Sequence, residues 1–207
     1  MENAQLQAVL ETVMARIFIP LEASGRHVHI TKEQAMTLFG HGLTPKRPLS
    51  QPGQYLSNER VTLVGPKGQM EKVAVLGPER PEGQVEISLT DGRVLGITPA
   101  LRLSGDVSGS PGAILRGPRG QVKLQQGVIC AKRHIHMTPE TAKRMKIKDK
   151  QAVKLQVFTP RPLIFDDVTV RVSEKYADFV HIDYDEANAC GFQNGDLGRI
   201  LTEEETE

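Results

Sequence analysis

The sequence predicts a mainly β protein composed of two related domains, and three observations support this prediction. The 19 glycines and 13 prolines among 207 residues separate many short apolar runs, a pattern typical of strands joined by turns. The short, regular spacing of these runs favours barrels over a layer of helices on a sheet. Two similar hexapeptides, Arg-His-Val-His-Ile-Thr at 26–31 and Arg-His-Ile-His-Met-Thr at 133–138, indicate an internal repeat.

The composition is that of an ordinary soluble globular protein. Hydrophobic residues make up 39% and charged residues 25%, and the net charge of +1 gives no general attraction to nucleic acid or anionic lipid. No apolar stretch approaches the roughly 20 residues that a membrane span needs, and Glu2 stands where a secretory signal carries positive charge. Cys130 and Cys190 are interpreted as small buried residues in a reducing compartment. We therefore expect a cytoplasmic protein that binds neither nucleic acid nor membrane.

An amphipathic helix is predicted within residues 1–17. A helix of this length is marginal by itself in water and must dock on another surface. The adjacent domain or another copy of the chain is the default partner, and a larger assembly is the alternative. The apolar residues that recur at helical spacing are Leu6, Val9, Leu10, Val13, Met14 and Ile17.

Each hexapeptide is predicted to lie on a strand and to be followed by a short helix. Thr31 is suited to cap a helix over 32–39, and Gln34 completes a capping box with it. Thr138 is suited to cap a second helix that begins with Pro139. Both copies of the repeat therefore have the order strand, two histidines, capped helix.

The rest of the chain has the pattern of short strands and polar loops. A proline-rich loop is predicted over 44–54 and a loop rich in serine and glycine over 101–112. Tight turns of the pattern Gly-Pro-basic-Gly are predicted at 65–68 and 117–120. The predicted strands are 18–23, 60–64, 72–76, 84–89, 114–116, 121–124, 152–158 and 168–172.

The two histidines of each hexapeptide are candidate metal ligands. His27 and His29, like His134 and His136, are separated by one residue, and residues i and i+2 of a strand point to the same face. Two imidazoles on one face can chelate one transition metal, and histidine is a common ligand of zinc. The alternative for each pair is two half-exposed strand residues, but two matched pairs favour ligands.

A third ligand for each pair is predicted from a second correspondence between the halves. The segment 85–91 resembles the segment 180–186, so that Glu86 corresponds to His181. Catalytic zinc takes three protein ligands and keeps a fourth position open, and Mn²⁺, Co²⁺ or Fe²⁺ are the alternatives for such ligand sets. The two predicted sites are His27, His29 and Glu86, and His134, His136 and His181.

Two further residues, Arg80 and Ser104, are candidate catalytic residues that would bind an anion. Two metals close together can hold a tetrahedral oxyanion such as phosphate. Arg80 precedes Glu86 by six residues and offers a guanidinium that can bind such an anion through two nitrogens, and Ser104 offers a hydroxyl. The alternative for each of these residues is a solvated loop or turn position.

Seven segments together resemble the PduL-type phosphotransacylases, or phosphate propanoyltransferases. The resemblance runs from about Pro20 to about Gly198 and is specific when the segments are taken jointly. The segments are 26–31, 49–55, 77–80, 84–88, 102–105, 133–137 and 181–189.

The resemblance implies a fold of two β-barrel domains, of a six-stranded type, that are capped by short helices. It implies domains at 26–131 and 132–207, with an early strand within 16–25 that completes the second barrel. It also implies two zinc ions per chain and a nearby coenzyme A site. Lys46 and Arg47 are candidates for binding the CoA phosphates, and the alternative for this pair is a solvated loop. Members of this family commonly reside in bacterial microcompartments, and an N-terminal amphipathic helix can be their encapsulation signal.

The function that we expect is acyl-CoA + phosphate ⇌ acyl phosphate + CoA, with phosphate as the nucleophile. We expect a homodimer, with microcompartment shell or cargo proteins as further partners. One alternative is a dinuclear zinc hydrolase that acts on esters or phosphoesters. The other is a metal-stabilised binding or shell-associated module without catalytic activity, although such structural zinc sites take four protein ligands rather than three.

Overall fold

The computed structural model describes residues 2–201, and within this range the protein is mainly β, as predicted. None of the described helices is long and apolar enough to cross a membrane. The helices are α1 (Glu2–Ile17), α2 (Lys32–Phe39), α3 (Leu89–Leu95), α4 (Pro139–Met145) and α5 (Tyr184–Cys190). The strands are β1 (Ile19–Ala23), β2 (His27–His29), β3 (Pro45–Pro48), β4 (Tyr55–Val64), β5 (Gln69–Gly77), β6 (Gln84–Glu86), β7 (Ala100–Arg102), β8 (Ala113–Arg116), β9 (Gln121–Leu124), β10 (Val128–Ala131), β11 (His134–Met137), β12 (Ala152–Phe158), β13 (Leu163–Val172), β14 (Phe179–Ile182) and β15 (Leu197–Ile200).

The chain forms two compact units, each with its own apolar core. Among the described residues, the barrel unit contains 2–23, 133–182 and 186–201, and the sheet unit contains 24–132 and 183–185. Each core consists mainly of buried valine, leucine and isoleucine side chains from the strands. The first copy of the hexapeptide lies in the sheet unit and the second copy in the barrel unit.

The barrel unit is a closed ring of six strands in the order β1, β14, β11, β13, β12 and β15. Strand β1 closes the ring, because it pairs in parallel with β14 and antiparallel with β15. Its apolar side chains Ile19 and Leu21 are 1% and 5% exposed, so burial in the barrel core anchors this strand. The barrel therefore includes a strand that precedes the whole sheet unit in sequence.

The sheet unit contains nine strands. The order is β7, β10, β6, β2, β5, β4, β8 and β9, and β3 pairs with β4 outside this path. The ladder thus has ends at β7 and β9, whereas the strands of the barrel unit form a closed ring. The prediction of a closed six-stranded barrel is confirmed for the barrel unit.

The strands around the two hexapeptides have the same arrangement in both units. In the sheet unit, β2 lies between β5, its parallel neighbour, and β6, its antiparallel neighbour. In the barrel unit, β11 lies between β13, its parallel neighbour, and β14, its antiparallel neighbour. Each histidine strand is therefore in the interior of its sheet, where both edges are hydrogen-bonded and its position is fixed.

The two predicted helix caps are confirmed. The Thr31 side chain accepts from the Gln34 N–H, the Gln34 side chain accepts from the Thr31 N–H, and α2 ends at Gly40 with φ +81°. The Thr138 hydroxyl accepts from the Thr141 N–H at the start of α4, which begins with Pro139.

Three secondary-structure predictions were wrong, one of them the predicted loop 101–112, whose first two residues belong to β7. The predicted strand 84–89 ends at Glu86, because the Ser88 side chain and Asp91 form a capping box that starts α3. The predicted loop 44–54 contains β3, whose four residues are exposed and pair with β4. Proline is tolerated there because β3 has one partner and its other edge needs no N–H donor.

Helix α1 leaves its described apolar side chains exposed. Leu6, Leu10, Val13, Met14 and Ile17 are 37–59% exposed. Met14 also lines a small cavity of about 300 Å³ with residues of the barrel unit. The default prediction was that this apolar face packs on the adjacent domain. These five side chains are instead exposed.

Candidate metal centres

The first predicted ligand set converges on the face of the sheet opposite the apolar core of the sheet unit, since Val28 between the two histidines lies in that core. His27 on β2 lies directly opposite Glu86 on β6, and His29 follows two residues later on the same face of β2. The two imidazole rings are 5.0 Å apart between centroids. The three side chains are nearly buried, and one donor atom from each lies within 4.8 Å of the others.

The geometry of this set suits a tetrahedral zinc ion. The Nε2 atoms of His27 and His29 lie 3.6 and 4.0 Å from Oε1 of Glu86. Ligand atoms of a tetrahedral zinc with bonds of about 2.0–2.1 Å are about 3.3–3.5 Å apart, so small shifts complete the site. Nδ1 of His27 is 2.8 Å from the carbonyl oxygen of Gly25, which can only accept, so the lone pair of the neutral His27 imidazole is on Nε2.

The electrostatics of the set also favour a bound cation. Burial disfavours a charged His27, but the Glu86 carboxylate and the carbonyl of Gly25 together outweigh burial and raise the pKa of His27. Burial, the charge of His27 and the charge of Arg80 hold the pKa of His29 well below its usual value. Burial disfavours a charged Glu86, but His27 and His29 outweigh it and keep the pKa of Glu86 well below its usual value. A metal cation therefore meets a neutral imidazole at His29 and a carboxylate at Glu86.

A hydrogen-bond network holds the Glu86 carboxylate. The Ser104 hydroxyl donates to Oε1 of Glu86 at 2.7 Å, and Nε2 of Gln84 donates to Oγ of Ser104 at 3.0 Å. The amide of Gly105 in turn donates to Oε1 of Gln84 at 2.9 Å. Ser104, predicted as a catalytic residue, therefore contacts a candidate ligand. Gln84 was missed, although its position two residues before Glu86 places it on the same face of β6.

The second predicted ligand set converges in the barrel unit. His134 on β11 lies opposite His181 on β14, and His136 is two residues further along β11. The ring centroids are 4.7–5.1 Å apart, and donor atoms of all three rings lie within 4.8 Å of one another. The three side chains are nearly buried. Three imidazole nitrogens on one small patch fit a transition metal with an open fourth position.

Arg80 lies close enough to the first set for its charge to disfavour protonation of both histidines there. Its backbone N–H donates to the carbonyl of Ile30, just after β2, at 2.9 Å. This contact anchors the Arg80 segment beside the histidine strand. The side chain of Arg80 is half-buried.

The residues predicted to bind coenzyme A lie on β3. The side chains of Lys46 and Arg47 are both exposed, and Nη1 of Arg47 is 3.5 Å from the carbonyl oxygen of Pro48. His41, which the predicted sites do not include, is also exposed.

An arginine beside each ligand set makes an ion pair that sequence reasoning missed. Arg26 donates through Nε and Nη2 to the Asp91 carboxylate at 3.0 and 2.7 Å. Arg133 donates through Nη1 to Glu186 at 2.8 Å. In each unit the arginine immediately precedes the first histidine, and the acid lies on the helix after the strand with the third ligand. The two arginines occupy corresponding positions in the two halves of the sequence, and so do Asp91 and Glu186. This correspondence could have predicted both ion pairs.

The fold and the two ligand sets define a class of protein, namely a two-unit β protein with a candidate metal centre in each unit. The sequence model of the phosphate propanoyltransferase family matches residues 20–193. The chain therefore belongs to the phosphate propanoyltransferase family, which confirms the resemblance seen in the sequence. It is an enzyme of the phosphotransacylase type, a phosphate acyltransferase.

Curated relatives cover nearly the whole chain. A phosphate propanoyltransferase of Clostridioides difficile is 49% identical over 207 residues, with 97% of this chain and 99% of the relative covered. One of Enterococcus faecalis is 50% identical, with 95% and 97% covered. One of Thermotoga maritima is 54% identical over 181 residues, with 86% of each chain covered.

Proposed function

We propose that this enzyme interconverts a short-chain acyl-CoA and phosphate with an acyl phosphate and CoA at a site that holds two zinc ions. The observation that carries the proposal is the pair of matched, buried, three-residue ligand sets. Each set offers three protein ligands, as catalytic zinc sites do, rather than the four of structural zinc sites. Propanoyl-CoA is the first substrate to test, since the relatives are named for it.

The ligand sets assign the metals by residue. His27, His29 and Glu86 would hold one zinc ion, and the three histidines of the barrel unit would hold the other. Bound zinc supplies Lewis acidity for oxygen atoms of phosphate and of the thioester. Ser104 and Gln84 act on this chemistry through Glu86, because their hydrogen bonds fix the orientation of its carboxylate.

Arg80 is proposed to bind phosphate. Its guanidinium can donate two parallel hydrogen bonds to phosphate oxygens, and a third oxygen then faces the substrate. That oxygen attacks the carbonyl carbon of the thioester, the C–S bond breaks, and CoA leaves as the thiolate. Phosphate is the nucleophile, so this reaction needs no nucleophilic side chain. Lys46 and Arg47 are proposed to bind phosphates of CoA, because β3 presents both cations to solvent.

The chain is also proposed to assemble with other molecules through α1. Its exposed apolar side chains favour docking on a second copy of the chain or on a microcompartment component. We further propose that both units derive from one barrel-type repeat, because the strands around their histidine motifs have matching neighbours.

The test combines metal analysis with a thiol-release assay. Purified enzyme is expected to contain close to two zinc ions per chain and to release CoA from acetyl-, propanoyl- or butanoyl-CoA when phosphate is present. His27→Ala is expected to lower turnover by about two orders of magnitude or more. His41→Ala is the matched control, because it removes an exposed histidine outside both sets.

Three outcomes would contradict the proposal. Release of CoA at the same rate without phosphate would indicate a hydrolase. Two tightly bound zinc ions without turnover on any of these acyl-CoA substrates would indicate a structural role for the metals. One zinc ion or fewer in a fully active chain would exclude the two-metal site.

A further inference from the structure

Glu22 on β1 lies beside the third histidine of the barrel unit. The parallel pairing of β1 with β14 places Glu22 directly next to His181 in the ladder. Oε2 of Glu22 is 3.4 Å from Nδ1 of His181. The His181 side chain is 11% exposed and that of Glu22 is 35% exposed, so the contact joins a nearly buried imidazole to a partly exposed carboxylate.

The backbone around Glu22 is held in place. Ile19 and Leu21 are buried in the barrel core, and β1 is hydrogen-bonded to strands on both sides. The closed barrel therefore fixes the backbone of Glu22 beside His181. The distance of 3.4 Å between Oε2 of Glu22 and Nδ1 of His181 is short enough to favour one orientation of the imidazole.

The facing carboxylate selects one tautomer of His181. An ionised carboxylate only accepts hydrogen bonds, so it favours the form of His181 with the proton on Nδ1. The lone pair is then on Nε2, which makes Nε2 the nitrogen that can bind a metal. In the sheet unit, the carbonyl of Gly25 has the same effect on His27 at 2.8 Å.

We propose that Glu22 is a positioning residue for the three-histidine set. It fixes the ring orientation and the tautomer of His181. It also makes Nε2 a stronger electron-pair donor to a metal, because partial proton sharing with a carboxylate increases the electron density on the imidazole. It also places a negative charge next to a ligand set that has none of its own, whereas the other set includes Glu86. This inference rests on the proposed metal binding. Its expected effect is a 10- to 100-fold change in metal affinity, which is typical of such indirect partners.

A structural role alone would have different consequences. If the contact were only an ion pair with a protonated His181, loss of Glu22 would lower stability but would select no tautomer. The first measurement therefore uses metal-free protein. Long-range ¹H–¹⁵N correlation spectra report which ring nitrogen carries the proton, and His181→Ala assigns the signal. We expect the Nδ1–H form in the wild type and a loss of this preference in Glu22→Ala.

The second measurement determines zinc affinity by competition with a chromophoric chelator. It uses a His27→Ala background, so that the three-histidine set is observed without the other set. Glu22→Ala is expected to raise the zinc dissociation constant about tenfold or more, and Glu22→Gln, which keeps an acceptor oxygen but no charge, by less. Glu174→Gln removes a carboxylate from an exposed turn of the same unit and should change nothing. Glu22→Ala in a His134→Ala background should leave the affinity of the other set unchanged.

The outcomes separate this inference from the proposed function. If the His27→Ala protein binds no zinc while His181 keeps its Nδ1–H form until Glu22 is replaced, the metal proposal fails and the orienting contact stands. If zinc binds but its affinity changes less than twofold in Glu22→Ala, with the tautomer unchanged, the role of Glu22 is refuted. Circular dichroism of each variant verifies folding. If Glu22→Ala does not fold, the tautomer and the zinc affinity are measured on Glu22→Gln instead.

Discussion

Replacement of Arg26 by alanine tests whether the ion pair beside the first ligand set stabilises the sheet unit. Arg26 donates two hydrogen bonds, at 3.0 and 2.7 Å, to the carboxylate of Asp91, whose side chain is 5% exposed. The Arg26 side chain is 41% exposed, and its guanidinium carbon lies 5.9 Å from the centroid of the Tyr184 ring. Removal of the arginine leaves a nearly buried carboxylate with a weaker set of donors.

The magnitude follows from the burial of the two partners. Hydrogen bonds to charged groups contribute about 1.5–3 kcal/mol, and breaking a fully buried pair costs about 3–5 kcal/mol. Solvent screens the exposed side of Arg26, and Asp91 still accepts from the Ser88 N–H at 3.4 Å. We therefore expect a loss of about 2–3 kcal/mol in the free energy of unfolding, or about 4–12 °C in Tm for a chain of this size.

The assay is urea and thermal unfolding of metal-free protein, so that altered metal binding does not contribute. A double-mutant cycle with Asp91→Asn isolates the coupling between the two side chains. The matched control is Arg102→Ala, because Arg102 and Asp106 form an exposed pair of 45% and 51% side-chain exposure whose loss should cost at most about 0.5 kcal/mol. A coupling energy of Arg26 with Asp91 no larger than that of the control pair would refute the reasoning.

Three further predictions concern separate parts of the chain. Ser104→Ala should weaken zinc binding at the Glu86 set about tenfold with little change in the KM for phosphate; a raised KM with full zinc content would instead indicate direct contact with phosphate. Burial disfavours a charged Glu59, but hydrogen bonds from the Thr44 hydroxyl and N–H, at 2.6 and 3.0 Å, outweigh it and lower the pKa of Glu59. The stability from Glu59 is thus present above about pH 4.5 and lost as the pH falls through the lower folded-state pKa, so Glu59→Gln should flatten the decrease in unfolding free energy below about pH 4.5. A chain that begins at Phe18 should keep its Tm to within about 2 °C, because the described apolar side chains before it are already exposed; a larger loss would show that α1 packs on the barrel unit.

Local sequence rules were sufficient for the histidine pairs and their helix caps. Two histidines separated by one residue share a face of any strand, so their convergence needs no knowledge of the fold. Thr31 and Thr138 cap helices through contacts that span three residues. The same rule could have ended the predicted strand 84–89 earlier, since Ser88 and Asp91 already have the spacing of a capping box.

Predictions that needed strand order were less complete. The pattern of short strands indicated barrels, and the barrel unit is a closed ring. The sheet unit, in contrast, is an open ladder whose end strands are β7 and β9. Strand β3 was predicted as a loop because proline is rare in strands. Its pairing with β4 depends on a partner further along the chain, which composition does not reveal.

The sequence by itself determined which donor atoms each candidate site offers, because the repeat specifies the histidine pairs and the correspondence of Glu86 with His181. The tertiary structure decided which groups surround those donors. Ser104 contacts Glu86 and Glu22 contacts His181 because separate segments meet at those points, and Arg26 reaches Asp91 across the sheet unit. The physical reason is that strand pairing and register are non-local: a shift of one residue in β1 would turn Glu22 to the other face of the barrel, and no local pattern in the sequence fixes that register.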